Sequence, residues 1–351
     1  MKSLLSWFFV VVPVVAFSEA QISDPDLEGL AIYGDEDFIS IATGVSQPIA
    51  KAPAVASVIT ALDIKRLGAT DIDQVLETVP GLHVARSTIY NPLYNFRGIH
   101  SDFNPQVLML INGVPLSNLF HGDRNLVWGG MPVESISRIE VIRGPGSALY
   151  GADAFAGVIN IVTKGYSELE ETSAGGRLGS NHSADFWISG ATVAGPVELS
   201  AMLELHKTNG ANELVVSDGQ SFLDFVTGTN VSNAPGNTNL ERDNLDLRLE
   251  AATEHVRVRL GAQIRNDFGE GAGAAQLLNR ENNFESKRYN IDITYAKEDF
   301  FPHVDLEVQV SHYDTSQEVE GDFVVYPPGS TGPFLTPTGI PIFGIFPDGV
   351  I

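Results

Sequence analysis

IEVIRGPGSALYGADAFAGVINIVTK, from Ile139 to Lys164, is the stretch on which the fold of this 351-residue chain turns. Ile139, Val141 and Ile142 are β-branched and suit a pleated surface, so they predict a strand. Gly144-Pro145-Gly146 breaks it, since glycine supplies backbone angles that other residues avoid. Ser147 is placed to N-cap a short turn ending at Gly151, and Gly157-Val158-Ile159-Asn160-Ile161-Val162 predicts a buried strand. The glycines invite a phosphate-binding reading, and spacing excludes it. No Lys-Ser/Thr pair follows Gly146 or Gly151, as a P-loop requires, and the third glycine of a dinucleotide fingerprint would fall at Leu149.

Upstream, residues 45–100 read as a compact α+β start. Ala54 to Ile59 predicts a strand and Thr60 to Leu67 a helix: Thr60 and Asp63 approximate a capping box, and Gly68 ends the helix. Asp71 to Val79 predicts a second helix stopped by Pro80-Gly81, with a strand beginning at Leu82. Val107 to Ile111 is a buried strand, turned by Asn112-Gly113 and returned by Val114-Pro115-Leu116.

Downstream of about Thr172 the pattern becomes alternation with period two. Leu199, Ala201, Leu203 and Leu205 interleave with Ser200, Met202, Glu204 and His206. Leu245 to Ala251, Val256 to Ile264, Tyr289 to Tyr295 and Val304 to Val310 repeat the pattern. Segments of about ten alternating residues are the mark of transmembrane β-barrel strands. Short turns at 194–196, 253–255 and 297–302 alternate with long polar stretches at 208–242 and 268–286, as outer-membrane barrels arrange their two sides. A soluble β-sandwich would share the alternation but not that asymmetry.

Composition narrows the function classes. With 44 acidic against 21 basic residues the net charge is −23, which argues against a nucleic-acid partner. No cysteine means no disulfide scaffold and no Cys-ligated zinc. Lys2, the apolar run Leu4–Phe17 and Ser18-Glu19-Ala20 predict a secretory signal peptide, residues 1–20, cleaved after Ala20. Residues 21–44 form an acidic leader containing one β-prone island, Asp37 to Thr43.

As whole strings, the RGP turn followed by LYG and GVINIVTK, the segment ASVITALDIKRLGATDIDQVLETVPGLHV and the run VLMLINGVPL resemble the plug domain of TonB-dependent outer-membrane transporters. The resemblance implies an α+β plug domain over residues 45–166, followed over 167–351 by antiparallel transmembrane β-barrel strands. It implies a cell outer membrane location in a Gram-negative bacterium, no enzymatic activity and no cofactor. The implied function is energy-coupled uptake of a scarce ligand, an iron-siderophore, haem or cobalamin, with a TonB-type periplasmic energy-coupling protein and outer-membrane lipid as partners. Phe38, Ile39, Ser40, Ile41 and Ala42 are the candidate TonB box, which would pair as an added strand; an ordinary first strand of the plug fits them equally.

Asn95-Phe96-Arg97-Gly98-Ile99 is expected to be another strand only through this resemblance, as a match to the family's R-G-I strand. Arg97 and Arg143 match family positions that lock the plug to glutamates of the barrel wall, against the plainer reading that they cap plug strands; in the family those glutamates lie on later strands, so their absence here is the expectation. Tyr90, Tyr94, His121, Arg124 and Trp128, in apical loops of the plug, are the candidate ligand contacts. His100 and His121 suggest haem only weakly, because lone loop histidines are usually solvated. About seven strands are expected, and a plugged barrel of this type needs about 22. At ~10 residues each those strands need ~220 residues, against the 180 that follow Glu171. The expectation is therefore an incomplete barrel: the N-terminal part of a longer protein, or a truncated, non-transporting plug-containing remnant that binds ligand. A receptor that also signals would need an extra domain before the plug, and about 25 residues do not make one.

Overall fold

The computed structural model describes residues 10–17, 38–39, 47–48, 55–87, 91–101, 103–117, 124, 129–146, 150–169, 172–211, 213–273, 277–279, 282–320, 324–335 and 341–350. In chain order the elements are β1 (Val10–Phe17), β2 (Phe38–Ile39), β3 (Gln47–Pro48), β4 (Ala56–Thr60), α1 (Ala61–Leu67), α2 (Ile72–Leu76), β5 (Leu82–Arg86), β6 (Pro92–Phe96), β7 (Val107–Ile111), β8 (Val114–Pro115), β9 (Ile136–Arg143) and β10 (Gly157–Thr163). They continue as β11 (Ser173–Leu178), β12 (Ala184–Ala194), β13 (Val197–Thr208), β14 (Leu214–Val215), α3 (Gly219–Thr227), β15 (Gly236–Asn237), β16 (Arg242–Ala252), β17 (Val256–Gly269), β18 (Asn283–Phe301), β19 (Val304–Glu320), β20 (Thr331–Leu335) and β21 (Pro341–Ile345).

The Ile139–Lys164 stretch is the centre of a five-stranded mixed sheet ordered β4-β9-β10-β7-β8. β10 runs antiparallel to β9 and parallel to β7, so it is flanked on both sides. Its composition fits that place: strands buried on both faces read as continuous apolar runs, and all of Val107–Ile111 beside it is buried. α2 supplies Ile72, Val75 and Leu76 to the same core, each 0% exposed. Gly157 opens β10 because Phe96 lies on it; a Cβ there would sit 2.6 Å from the Phe96 ring and 2.8 Å from the Ile142 carbonyl. Neither the ring nor the backbone can yield cheaply, so Gly157→Ala is expected to destabilise the plug by about 1–3 kcal/mol, read as a lowered thermal unfolding midpoint.

Two sequence expectations are corrected here. The second helix stops at Leu76 rather than Val79, because Pro80 disfavours helical backbone in the residue before it and Thr78 caps the Val75 carbonyl with its own hydroxyl. The Arg97-Gly98 pair is a turn, not a strand: φ is 51° and 78°, and the Arg97 N–H donates to the Gly81 carbonyl. The first helix forms as expected, with the Thr60–Asp63 capping box complete and Gly68 in the left-handed region at its end.

The alternating segments form one antiparallel meander, β11-β12-β13-β16-β17-β18-β19. Short turns at 195–196, 253–255 and 302–303 lie on one rim, and the long connections lie on the other. One face is apolar and open, with Leu205, Leu249, Leu260, Tyr289, Ile291 and Ile293 all exposed. The other is polar and buried against the plug. Its rows follow from register: Glu204 pairs with Asp246, Asp246 with Gln263, and Gln263 with Arg288. This is a partial barrel wall wrapped on a plug. On its outer edge β1, the apolar segment read as a signal peptide, lies antiparallel to β19, with Val10 opposite Ser311. A sheet edge presents unpaired backbone groups that such a β-branched run can satisfy. Cleavage after Ala20 would remove it.

Candidate functional site at the plug–wall interface

The wall holds the plug mainly through the plug's backbone. Glu204 on β13 accepts the Glu134 and Ser135 N–H groups at 3.0 and 2.9 Å, one on each carboxylate oxygen. Asn244 on β16 donates to the Gly130 carbonyl and Arg265 on β17 to that of Gly129, both at 2.9 Å. Towards the far edge, Arg288 donates to the Pro115 carbonyl at 3.1 Å, Gln309 to Asn112 at 3.1 Å and Tyr313 to Ser117 at 3.2 Å. Arg265 is fully buried and balanced by Asp246 at 2.8 Å. Gly129 permits the closest approach, since a Cβ there would collide with the Phe268 ring. Two ion pairs add to this: Arg177 with Glu134 at 2.8 Å and Arg242 with Asp71 at 3.9 Å.

The predicted lock arginines lie elsewhere. Arg143 donates to the Pro80 carbonyl at 2.9 Å and the Ser57 hydroxyl at 3.2 Å, tying the end of β9 to the plug itself. The exposed Arg97 makes one long bond to the Arg143 carbonyl, 3.5 Å. Neither pairs with a carboxylate among the described residues. Two plug acceptors hold the Arg143 guanidinium. The wall carboxylate that does engage the plug is Glu204, and it takes main-chain amides, which no side-chain motif in the plug announces.

Two of the predicted ligand contacts are core residues. Tyr94 is 0% exposed, and its hydroxyl donates to Asp73 at 2.6 Å. Burial first, and then the Asp73 charge, holds the Tyr94 phenol well above its ordinary range. Arg124 is also buried; it donates to the Val107 carbonyl at 2.7 Å and lies over the Tyr94 ring at 4.9 Å. Both are corrected from ligand contacts to internal ties, because β6 is buried along its whole length and carries Tyr94 inward. Tyr90, His121 and Trp128 lie outside the described residues, as do Ser40, Ile41 and Ala42 of the candidate box. Phe38 and Ile39 pair antiparallel with Pro48 and Gln47.

Sequence reading missed Asp71 and Asp73, which sit at the start of α2 between plug and wall. Asp73 pairs with Arg86 at 2.7 Å. Asp71 caps the helix by accepting the Asp73 N–H at 2.7 Å. Burial, and then the Asp73 charge, raises the Asp71 carboxyl from 3.8 to about 6. A raised carboxyl favours folding below its unfolded value, and that contribution is lost as pH rises through about 6. Asn caps as well as Asp, so Asp71→Asn should match the parent near pH 4 and be more stable at pH 8. With Asp71 22% exposed, the gain is discounted to about 1–2 kcal/mol. Equal unfolding midpoints at pH 8 would count against this account.

The fold agrees with what comparison shows. The family model for the TonB-dependent receptor plug domain matches residues 48–158. Residues 48–158 are therefore a TonB-dependent receptor plug domain. Among curated relatives of this receptor family, the chain is similar to the vitamin B12 transporter BtuB of Vibrio vulnificus, 36% identical over 149 residues, 42% of this chain and 23% of that protein. It is also similar to the vitamin B12 transporter BtuB of Photobacterium profundum, 33% identical over 179 residues, 50% and 28% respectively. The chain thus spans about a quarter of the length of these curated relatives. The alcaligin outer-membrane receptor FauA of Bordetella pertussis shares the fold with a TM-score of 0.54 at 19% identity, over 87% of this chain and 48% of that one. TonB-dependent receptors are outer-membrane proteins of Gram-negative bacteria, and the family is one of transporters rather than enzymes.

Proposed function

We propose that this plug and wall belong to a receptor for TonB-coupled uptake of a scarce ligand, an iron-siderophore, haem or cobalamin, with cobalamin the first to test. The supporting observation is how the wall holds the plug: among the described residues the polar or charged wall side chains Glu204, Asn244, Arg265, Arg288, Gln309, Tyr313, Arg242 and Arg177 contact it. Such contacts can be exchanged for water one at a time as a plug moves, whereas an apolar seam would separate only at the cost of its whole buried area. The similarity of the plug region to vitamin B12 transporters supports cobalamin over the other two.

The periplasmic partner would pair with the Phe38–Ala42 segment by strand addition, which requires that segment to leave its partner Gln47–Pro48. The test is uptake of radiolabelled cyanocobalamin, a ferric siderophore and haem by cells expressing the gene in an uptake-deficient strain, with and without a protonophore. Protonophore-sensitive accumulation of one ligand, lost on deletion of 38–42, is the expected result. Binding without accumulation would select a ligand-binding module that does not transport, and neither binding nor accumulation of any of the three would overturn the proposal.

A further inference from the structure

Arg248 on β16 and Arg288 on β18 lie on either side of β17, whose Gly261 and Gln263 face them in register. Gly261 makes the room that the Arg248 guanidinium occupies: a Cβ there would sit 2.7 Å from Arg248 Nη1 and would collide with Asn290 Oδ1. Arg288 is 1% exposed. One of its terminal nitrogens reaches the Pro115 carbonyl, and the guanidinium stacks 5.0 Å from the Tyr313 ring. Its Nε and Nη1 find no acceptor. The charge that bears on it most strongly is the like charge of Arg248.

Arg248 is little better served. Its Nη1 reaches the Leu247 carbonyl at 3.3 Å, while Nε and Nη2 are without hydrogen-bond acceptors. Asp246 stands 3.7 Å away but is held closer by Arg265, at 2.8 Å. Of the other acids nearby, Glu250 and Asp292 are paired with Arg259, and Glu204 accepts two backbone amides while its charge still bears on Arg248 from a distance. Arg248 and Arg265 therefore share Asp246, and Arg288 has no carboxylate at ion-pair distance among the described residues. Arg248 also lines a cavity between plug and wall, together with Asn112, Lys164 and Asn290. A buried charge without a counter-charge is costly, and two adjacent guanidinium forks match the geometry of an oxyanion.

We propose that Arg248 and Arg288 form a binding site for an oxyanion, a phosphate or carboxylate group, between plug and wall. The ion is either free or part of a ligand passing through the lumen. The site stands on wall residues alone and does not depend on which ligand is transported. The purified chain in detergent is unfolded thermally in sodium phosphate and in sodium chloride of equal ionic strength. Phosphate should raise the midpoint saturably, Arg288→Gln should weaken the response at least tenfold, and so should Gly261→Ala, which displaces Arg248. Arg288→Met guards against a variant that merely misfolds: with the unbalanced charge gone it should unfold at or above the parent midpoint in chloride and ignore phosphate. Identical midpoints of the parent in the two salts, or an undiminished phosphate response in Arg288→Gln, would overturn the site. Displacement of phosphate by cyanocobalamin assigns the site to a group on the ligand, and saturation unaffected by cyanocobalamin assigns it to the free ion.

Discussion

Glu204→Ala should free the 134–135 segment from the wall. The substitution leaves two N–H donors at the interface, those of Glu134 and Ser135, without their acceptors. Each orphaned donor costs about 1–3 kcal/mol, partly offset because Asp246, directly across in register, loses a like-charged neighbour. A net loss of about 3 kcal/mol in plug docking corresponds to ~100-fold more open plug. Limited proteolysis reads it directly, as faster cleavage within 118–135 while the wall strands resist. Glu204→Gln keeps one acceptor oxygen and should recover about half of the effect. Unchanged cleavage in the alanine variant would mean that Glu204 is incidental to docking.

Asp73→Ala is expected to damage the plug from within. Asp73 is buried between the Tyr94 hydroxyl at 2.6 Å and the Arg86 guanidinium at 2.7 Å. Its removal takes the acceptor at 2.6 Å from the Tyr94 phenol and the nearest carboxylate from the half-buried Arg86, for which about 3 kcal/mol is the expected scale. Tyr94→Phe removes only the hydrogen bond and should cost about 1–2 kcal/mol. Because the two residues touch, the double variant should cost less than the sum. Hydrogen exchange is the measurement: amides of α2, β5 and β6 should lose protection together, while those of β7 and β10 keep theirs. Strict additivity, or loss confined to α2, would refute the network.

The plug sheet was legible because its strands announce themselves locally. Gly157-Val158-Ile159-Asn160-Ile161 has no reading as an amphipathic element, and Thr60, Asp63 and Gly68 mark a helix at both ends. The wall was legible through alternation, which separates Leu203 from Glu204 without any knowledge of neighbours. What could not be read was everything set by register between distant strands. Tyr94 resembles a loop aromatic because Asp73, its partner, lies 21 residues earlier. Arg124 resembles a loop cation because its acceptor is the Val107 carbonyl, 17 residues away. The plug–wall contacts were hidden for a different reason: Glu204, Asn244, Arg265 and Gln309 address main-chain groups, and a carbonyl leaves no mark in sequence. One usable signal was the glycine pair Gly129-Gly130, whose missing side chains let Phe268, Asn244 and Arg242 close on the backbone.

The order of the plug sheet has a mechanical consequence. β4, the N-terminal strand of the sheet, occupies its edge and is joined only to β9, over five residue pairs from Ala56 opposite Ile142 to Thr60 opposite Arg138. Tension arriving along the chain from the N-terminal side therefore meets that single short seam before any other in the sheet. Peeling β4 leaves β9, β10 and β7 paired, with Val158, Ile159 and Ile161 still held between them. The sheet is therefore expected to part at one edge strand before it parts as a whole, and the three strands left behind keep the template on which that edge can pair again.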